Sequence, residues 1–207
     1  MGDGDNSGID EFIDRAAVTD KELIDVVRGR GDIDGLSVRD AARMLLARRE
    51  LRRRRCKCSL MEYAKSVYPW FIGARHLEEM ASALEAVHRG EIKRLRISMP
   101  PRHGKSLMSS VLFPCWSLGL EPRQRLVVVS YASTLSRMHA VQARLLYRSR
   151  EHEAVFPVDK GGDGYGRGEL LREVLDEWET VPGRGYLALG VGSGFSGRGA
   201  NGIIIDD

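Results

Sequence analysis

The sequence predicts an α/β fold with a central, mostly parallel sheet, and three observations support this. Residues 126–130 form an apolar, β-branched run, and leucines at helical spacing follow from Leu135 to Leu146. Residues 203–205 are three isoleucines, typical of a buried strand of a parallel sheet. A Gly-Lys-Ser turn at residues 104–106 separates a strand-like run from a helix-like one. Because strands that alternate with helices pair in parallel through right-handed crossovers, we expect one helix-covered sheet.

Length and composition set limits on the class of protein. A chain of 207 residues with 43% hydrophobic content suffices for one domain with a small N-terminal appendage. The net charge of +3 fits a nucleic-acid partner without requiring one. Three cysteines give no disulfide framework and too few ligands for a structural zinc site. No apolar run approaches the roughly 20 residues of a membrane span, and the acidic N-terminus is unlike a signal peptide.

Three regions are predicted along the chain. Residues 1–14 are rich in Asp and Gly and are expected to be a disordered acidic tail. Residues 15–60 contain two capping-box signals, each followed by apolar residues, and are predicted to be a helical appendage. Residues 61–207 form the main α/β domain. The two N-terminal helices fit either a small DNA-binding hairpin or a structural appendage.

A dense basic run occupies the end of the second of these helices. It comprises Arg52, Arg53, Arg54, Arg55 and Lys57. Such a cluster can neutralise DNA phosphates, and it equally fits a solvated helix face balanced by the acidic N-terminus. The run contains no aromatic residue, so base stacking there is not expected.

The segment MPPRHGKS at residues 99–106 is predicted to be a phosphate-binding loop. It follows a strand-like run at residues 95–98 and precedes a helix-like run. Gly104 lets the backbone pass close to phosphates, Lys105 reaches the β- and γ-phosphates, and the Ser106 hydroxyl binds Mg²⁺. The predicted phosphate-binding residues are Arg102, His103, Gly104, Lys105 and Ser106.

Two acids, Asp206 and Asp207, directly follow the three isoleucines. Ligands of open α/β sheets bind at the carboxyl ends of the strands. Asp206 is therefore predicted to hold Mg²⁺, and Asp207 to orient or deprotonate an attacking water. The alternative is a strand that ends in a solvated acidic turn.

The remaining elements follow from periodicity and turn residues. Residues 77–87 carry apolar side chains at helical spacing, and Gly90 supplies a stop signal. Residues 178–180 and 186–189 predict a β-hairpin, because a Pro-Gly pair lies between them. The glycine-rich residues 192–202 fit a loop that contacts DNA, one that senses ATP, or a simple connection between strands.

Six segments, taken in order, resemble the large subunit of tailed-bacteriophage terminases. They are RLRISMPPRHGKS at residues 94–106, FPCWSLG at 113–119, VSYA at 129–132, WET at 178–180, GYLALGVG at 185–192 and SGRGANGIIIDD at 196–207. The likeness begins near residue 45 and is carried by the ordered set. It implies a P-loop ATPase that hydrolyses ATP with Mg²⁺ and threads viral double-stranded DNA into a capsid.

The resemblance also implies roles for individual residues. Lys105, Arg102 and Asp207 would be the catalytic residues, with Arg102 offsetting charge in the transition state. Ser106 and Asp206 would hold Mg²⁺. The usual loop begins with a glycine where this chain has Met99, and many relatives have Glu in place of Asp207.

In this family the adenine lies near the segment before the phosphate loop. Trp70 or Phe71 would then pack on the adenine ring, and Arg75 or His76 would bond its edge. The alternative for the two aromatic residues is core packing. The DNA-contact candidates are Arg52, Arg53, Arg54, Arg55 and Arg198.

Further partners follow from the resemblance alone. They are the portal protein, the small terminase subunit and further copies of the chain in a ring, in the cytoplasm of an infected bacterial host or from a prophage. No membrane partner is expected. Members of the family continue beyond the second acid of the Walker B-like strand with a coupling motif, more strands and a nuclease domain. We therefore expect this chain to correspond to a truncated ATPase domain that hydrolyses little ATP alone.

Two other readings stay open. One is a different DNA-dependent P-loop ATPase of the helicase-like kind, against which the ordered segments argue. The other is an inactive remnant that acts only as a binding fragment. Helicase motifs after Asp207 would indicate the first, and a failure to bind nucleotide would indicate the second.

Overall fold

The structure is a computed structural model that describes residues 38–157, 170–181, 183–192 and 199–206, with side chains from residue 43 onward. The chain divides into two units, residues 1–54 and 55–207. The predicted acidic tail and the first predicted helix lie outside the described residues. Of the first unit the structure describes the greater part of helix α1 (Val38–Cys58), whose buried side chains include Met44, Ala47 and Leu51.

In its described residues, the second unit contains five further α-helices and one π-helical segment. They are α2 (Leu60–Val67), α3 (Arg75–His88), the π-helical segment Leu107–Leu112, α4 (Phe113–Leu120), α5 (Ser133–Tyr147) and α6 (Arg150–Val155). Helix α3 confirms the predicted helix, and Gly90 follows it with a φ of 77°. Helix α5 confirms the helix predicted after the first long strand. Within the described ranges, every helix is too short or too polar to span a lipid bilayer.

In the part of the chain that the structure describes, five strands form one mixed sheet in the order β2-β3-β4-β1-β5. They are β1 (Arg125–Ser130), β2 (Arg172–Glu173), β3 (Glu177–Val181), β4 (Arg184–Gly190) and β5 (Gly202–Asp206). β1 pairs in parallel with β4 and β5, whereas β2, β3 and β4 pair antiparallel. The α/β class is confirmed, but the prediction of a mostly parallel sheet was wrong. Short turns join β2, β3 and β4, and strands joined by short turns pair antiparallel.

The strand predicted at residues 95–98 does not form. These residues have no regular secondary structure, and Leu95 is exposed. A strand needs a ladder partner for its N–H and C=O groups. The described sheet ends at β2 and at β5, and neither pairs with this run. The phosphate loop therefore follows an irregular segment rather than a sheet strand.

The hairpin β3–β4 confirms the prediction from the Pro-Gly pair and supplies part of the core. Trp178 lies opposite Tyr186, and their rings stack with centroids 5.4 Å apart and an interplanar angle of 10°. Both side chains are buried. Aromatic pairs of this kind contribute heavily to core stability, because each side chain buries about 150–250 Å².

β5 was predicted to be a buried strand, and only one of its faces is. Ile204 packs against the core and Asp206 is 2% exposed, whereas Ile203 and Ile205 are 58% and 78% exposed. Alternate residues of a strand point to opposite faces, so the helix-covered face takes Ile204 and Asp206. The opposite face of β5 is open in the described part of the chain.

Candidate functional site around Asp206

The predicted loop leads from the irregular segment at residues 95–98 into the π-helical segment. Gly104 has a φ of 81°, and Arg102 has a φ of 66°. A Cβ at residue 104 would also lie 3.3 Å from Leu77 Cδ2. Glycine therefore suits this position both for its positive φ and for the close approach of Leu77. A positive φ is uncommon for arginine and marks a strained backbone in the loop.

The loop surrounds a cleft of about 440 Å³. The residues that line it are Met99, Pro100, Pro101, Arg102, Gly104, Lys105, Ser106 and Leu107. This volume lies in the range typical of small-molecule sites. The cleft therefore has room for a ligand of nucleotide phosphate size beside Lys105.

Asp206 reaches the loop from β5 across 100 residues of sequence. Its Oδ1 accepts a hydrogen bond from Ser106 Oγ at 3.1 Å and lies 3.7 Å from Lys105 Nζ. Its Oδ2 accepts from Ser110 Oγ at 3.0 Å and lies 3.8 Å from His139 Nδ1. The structure thus brings the predicted lysine, serine and carboxylate together.

The sheet register explains why Asp206 arrives at this place. Ser130 of β1 lies opposite both Asp206 of β5 and Gly190 of β4, so the three strand ends coincide. Helix α5 approaches closely there, since a Cβ on Gly190 would lie 2.9 Å from Ser133 Cβ. The carboxylate is therefore enclosed between the strand ends, α5 and the π-helical segment.

The π-helical segment has an identifiable cause and a compensating contact. Phe113 N–H bonds to the carbonyl of Met108, five residues earlier. Pro114 has no N–H, so it cannot bond to the carbonyl of Ser110, four residues earlier. The Tyr186 hydroxyl donates to that carbonyl at 3.0 Å. A residue of β4 thereby fixes the turn that presents Ser110 to Asp206.

Burial controls the ionisation of the groups next to the carboxylate. Burial lowers the pKa of His139, and the nearby Asp206 partly opposes this. Burial raises the pKa of Tyr186 well above its usual range, with smaller contributions from Cys115 and Asp206. At neutral pH the imidazole is therefore neutral and the phenol keeps its proton.

The oxygen pair from Ser106 and Asp206 fits Mg²⁺, which prefers hydroxyl, carboxylate, phosphate and water oxygens. Among the described residues, no group of three or more His, Cys, Asp or Glu side chains could hold a metal ion. A cation at this place would therefore need further oxygens, from phosphate or water, in addition to those of Ser106 and Asp206. This is the usual arrangement of Mg²⁺ with a nucleotide.

The predicted adenine-stacking residues differ in exposure. Phe71 is buried among core residues, which matches the alternative of core packing. Trp70 is 65% exposed, and its ring stacks on Tyr68 with centroids 4.9 Å apart. Of the two aromatic residues, only Trp70 presents a surface that a ligand could contact.

One of the two polar residues of the same region contacts the loop. The ring of His76 meets the ring of His103 edge-on, with centroids 5.7 Å apart. His103 Nδ1 lies 2.9 Å from the Pro101 carbonyl oxygen. Arg75 is exposed and forms an ion pair with Glu79 at 3.0 Å. His76 is thus the adenine-region candidate with a direct contact to the loop.

The predicted DNA-contact arginines lie on α1 and are not equivalent. Arg53 and Arg54 are half-buried, and each pairs with Glu50 at 3.0 Å. Arg52 and Arg55 are exposed. The remaining candidate, Arg198, lies outside the described residues, and so does the predicted catalytic acid Asp207.

Three residues of the site were missed by sequence reasoning: Ser110, His139 and Tyr186. Ser110 follows Ser106 by four residues, which places both on one face of a helix, and this spacing could have identified it. His139 interrupts a buried stripe of α5 that includes Ala140 and Ala143. No sequence signal distinguishes Tyr186 from a core tyrosine.

No protein-family model, curated protein or solved structure matches this chain.

Proposed function

We propose that this chain is the ATP-hydrolysing part of a terminase large subunit, with a P-loop ATPase fold, which powers the packaging of viral double-stranded DNA. The observation that carries the proposal is the convergence of Lys105, Ser106 and Asp206. These are the residue types that bind the phosphates and Mg²⁺ of a nucleotide, and they come from distant parts of the sequence. A chance Gly-Lys-Ser turn would have no reason to meet a buried carboxylate.

The roles follow from the chemistry of each group. Lys105 would contact the phosphates, and Ser106 and Asp206 would hold Mg²⁺. When bound, the cation neutralises phosphate charge. Phosphoryl transfer requires little covalent work from the protein, so positioning and charge stabilisation carry the reaction.

Two further residues complete the proposed machinery. Arg102 lies exposed at the rim of the cleft, in a strained backbone conformation, and would offset charge in the transition state. Asp207 would orient the attacking water from its place next to Asp206. Strained backbone at a ligand site is a common mark of function.

The proposed partner of the motor is double-stranded DNA. The exposed Arg52 and Arg55 of α1 support a contact with phosphates, which is independent of base sequence. The portal protein and the small terminase subunit are proposed partners on the resemblance alone.

The test compares nucleotide affinity in two lysine variants of the 207-residue chain. Lys105→Ala should weaken binding of ATP with Mg²⁺ by about 10- to 100-fold, since a hydrogen bond to a charged group contributes about 1.5–3 kcal/mol. Lys93→Ala, at an exposed lysine before the loop, is the matched control and should leave affinity unchanged. Equal affinity in both variants would remove the basis of the proposal.

A further inference from the structure

The two oxygens of Asp206 have different surroundings. Oδ1 faces the loop, where Ser106 Oγ lies at 3.1 Å and Lys105 Nζ at 3.7 Å. Oδ2 faces the interior, where Ser110 Oγ lies at 3.0 Å and His139 Nδ1 at 3.8 Å. One oxygen is thus directed to the ligand cleft and the other to side chains that take no part in the proposed nucleotide contacts.

His139 is the less obvious of the two interior neighbours. It is 5% exposed, and its Nδ1 has no hydrogen-bond partner among the described residues. A buried polar atom of this kind costs about 1–3 kcal/mol unless it finds a partner. The Asp206 oxygen at 3.8 Å is close enough for a shift of about 1 Å to create a hydrogen bond of ordinary length.

We propose that Ser110 and His139 are positioning residues that hold Oδ2 of Asp206 and thereby direct Oδ1 towards the phosphate loop. This inference rests on the proposed function, because the directed oxygen matters only if Mg²⁺ and a nucleotide bind there. A neutral imidazole has one N–H, and Asp206 as an acceptor selects the tautomer with that proton on Nδ1. Tyr186 supports the arrangement from behind by holding the Ser110 carbonyl.

The physical reason is the need to hold the carboxylate in one rotamer when a cation arrives beside Oδ1. Ser106 donates to Oδ1. A hydroxyl that binds Mg²⁺ through an oxygen lone pair keeps its hydrogen and can still donate to Oδ1, so this contact moves together with the cation. The contacts to Oδ2 come from residues that do not contact the cation, and they hold the side chain whether or not Mg²⁺ is bound. Partners of this kind behind a metal ligand typically change metal affinity by about 10- to 100-fold.

The experiment measures the Mg²⁺ concentration that gives half-maximal binding of a fluorescent ATP analogue to the 207-residue chain. Affinity for the same analogue in EDTA and the thermal unfolding midpoint are measured in parallel. The variants are Ser110→Ala, His139→Leu and His139→Asn, in which an amide nitrogen replaces Nδ1 at the same number of bonds from Cβ. Ser136→Ala is the control. Ser136 is a buried serine in the same helix as His139, and its hydroxyl donates to the Ser133 carbonyl rather than to Asp206.

Ser110→Ala and His139→Leu should each raise the required Mg²⁺ concentration by about tenfold or more, with affinity in EDTA changed less than about twofold. His139→Asn should recover most of the loss, and Ser136→Ala should behave as the unaltered chain. Should His139→Leu fail to fold, Ser110→Ala and His139→Asn still decide the matter. A normal Mg²⁺ requirement in Ser110→Ala and in the folded His139 variants would overturn this inference but not the proposed function. The absence of Mg²⁺-dependent binding in the unaltered chain would overturn the proposed function, and the inference with it.

Discussion

Tyr186 donates its hydroxyl hydrogen to the carbonyl of Ser110, which is the backbone group that Pro114 cannot reach with an N–H of its own. The contact joins β4 to the π-helical segment. It stabilises the turn from which Ser110 bonds to Asp206. A core tyrosine thus contributes indirectly to the geometry of the candidate site.

The Tyr186→Phe variant should lower the free energy of unfolding by about 0.5–1.5 kcal/mol, since it removes a hydrogen bond to a buried carbonyl. Pro114→Ala restores an N–H next to that carbonyl. In the Pro114→Ala background, the same tyrosine change should therefore cost less, by roughly 1 kcal/mol. Chemical denaturation of the four proteins measures this coupling. Identical costs in the two backgrounds would contradict the account, and Tyr131→Phe, at an exposed tyrosine, serves as control.

Asp206→Asn should weaken the binding of ATP in the presence of Mg²⁺ by about tenfold or more, because the amide removes the charge that faces Lys105 and the cation. Binding in EDTA should change little. Asp176→Asn replaces a half-exposed carboxylate that pairs with Arg137 and should have no effect on either affinity. Loss of binding in EDTA as large as the loss in Mg²⁺ would show that Asp206 acts on the fold rather than on the cation.

Much of the site could be predicted from sequence because its parts are local patterns. The Gly-Lys-Ser turn and the acid after three isoleucines can each be recognised from a few adjacent residues. The parallel register then places Asp206 of β5 opposite Ser130 of β1. The interior half of the site was harder to predict. The spacing from Ser106 could have placed Ser110 on the same helix face. His139 acquires its role only through the contact between α5 and Asp206, which no local pattern encodes.

The errors in the predicted fold have a similar origin. The run at residues 95–98 has the composition of a strand, but strand formation depends on a partner that a single segment does not specify. Likewise, Ile203 and Ile205 read as buried by composition. Their exposure follows from the open face of β5 in the described part of the chain, on which both side chains lie.

Gly119→Ala should destabilise the chain, although alanine is usually the better helix residue. A Cβ at this position would lie 2.5 Å from Cδ2 of the fully buried Phe156. Overpacking of this kind costs about 1–3 kcal/mol, which exceeds the roughly 1 kcal/mol gained in helix propensity. Denaturant titration measures the change. Gly199→Ala is the control, because a Cβ at residue 199 has no other atom within 4 Å. A stabilised Gly119→Ala protein would be inconsistent with the packing described.

His152 should make the chain less stable in mild acid. Its ring is buried with Nδ1 2.8 Å from the Tyr63 hydroxyl, and burial lowers the pKa of His152 to about 3. The unfolded chain binds the proton near pH 6.5, so the stability is complete above that pH and falls as the pH decreases towards 3. This residue alone contributes a slope of about 1.4 kcal/mol per pH unit in that window.

The measurement is the free energy of unfolding between pH 7 and pH 4, which covers the upper part of the window between pH 6.5 and about 3. His152→Asn, which cannot titrate, should show a shallower pH dependence than the unaltered chain. His76→Asn, at an exposed histidine, should keep the original slope. An unchanged slope in His152→Asn would mean that the buried imidazole is not a source of acid sensitivity.

The proposed function depends on Lys105, Ser106 and Asp206 forming a site for a nucleotide with Mg²⁺. The decisive experiment is calorimetric titration of the purified 207-residue chain with ATP, in Mg²⁺ and again in EDTA. We expect saturable one-to-one binding in Mg²⁺ and an affinity about tenfold or more weaker in EDTA. No saturable binding in Mg²⁺, or the same affinity in EDTA, would contradict the proposed function.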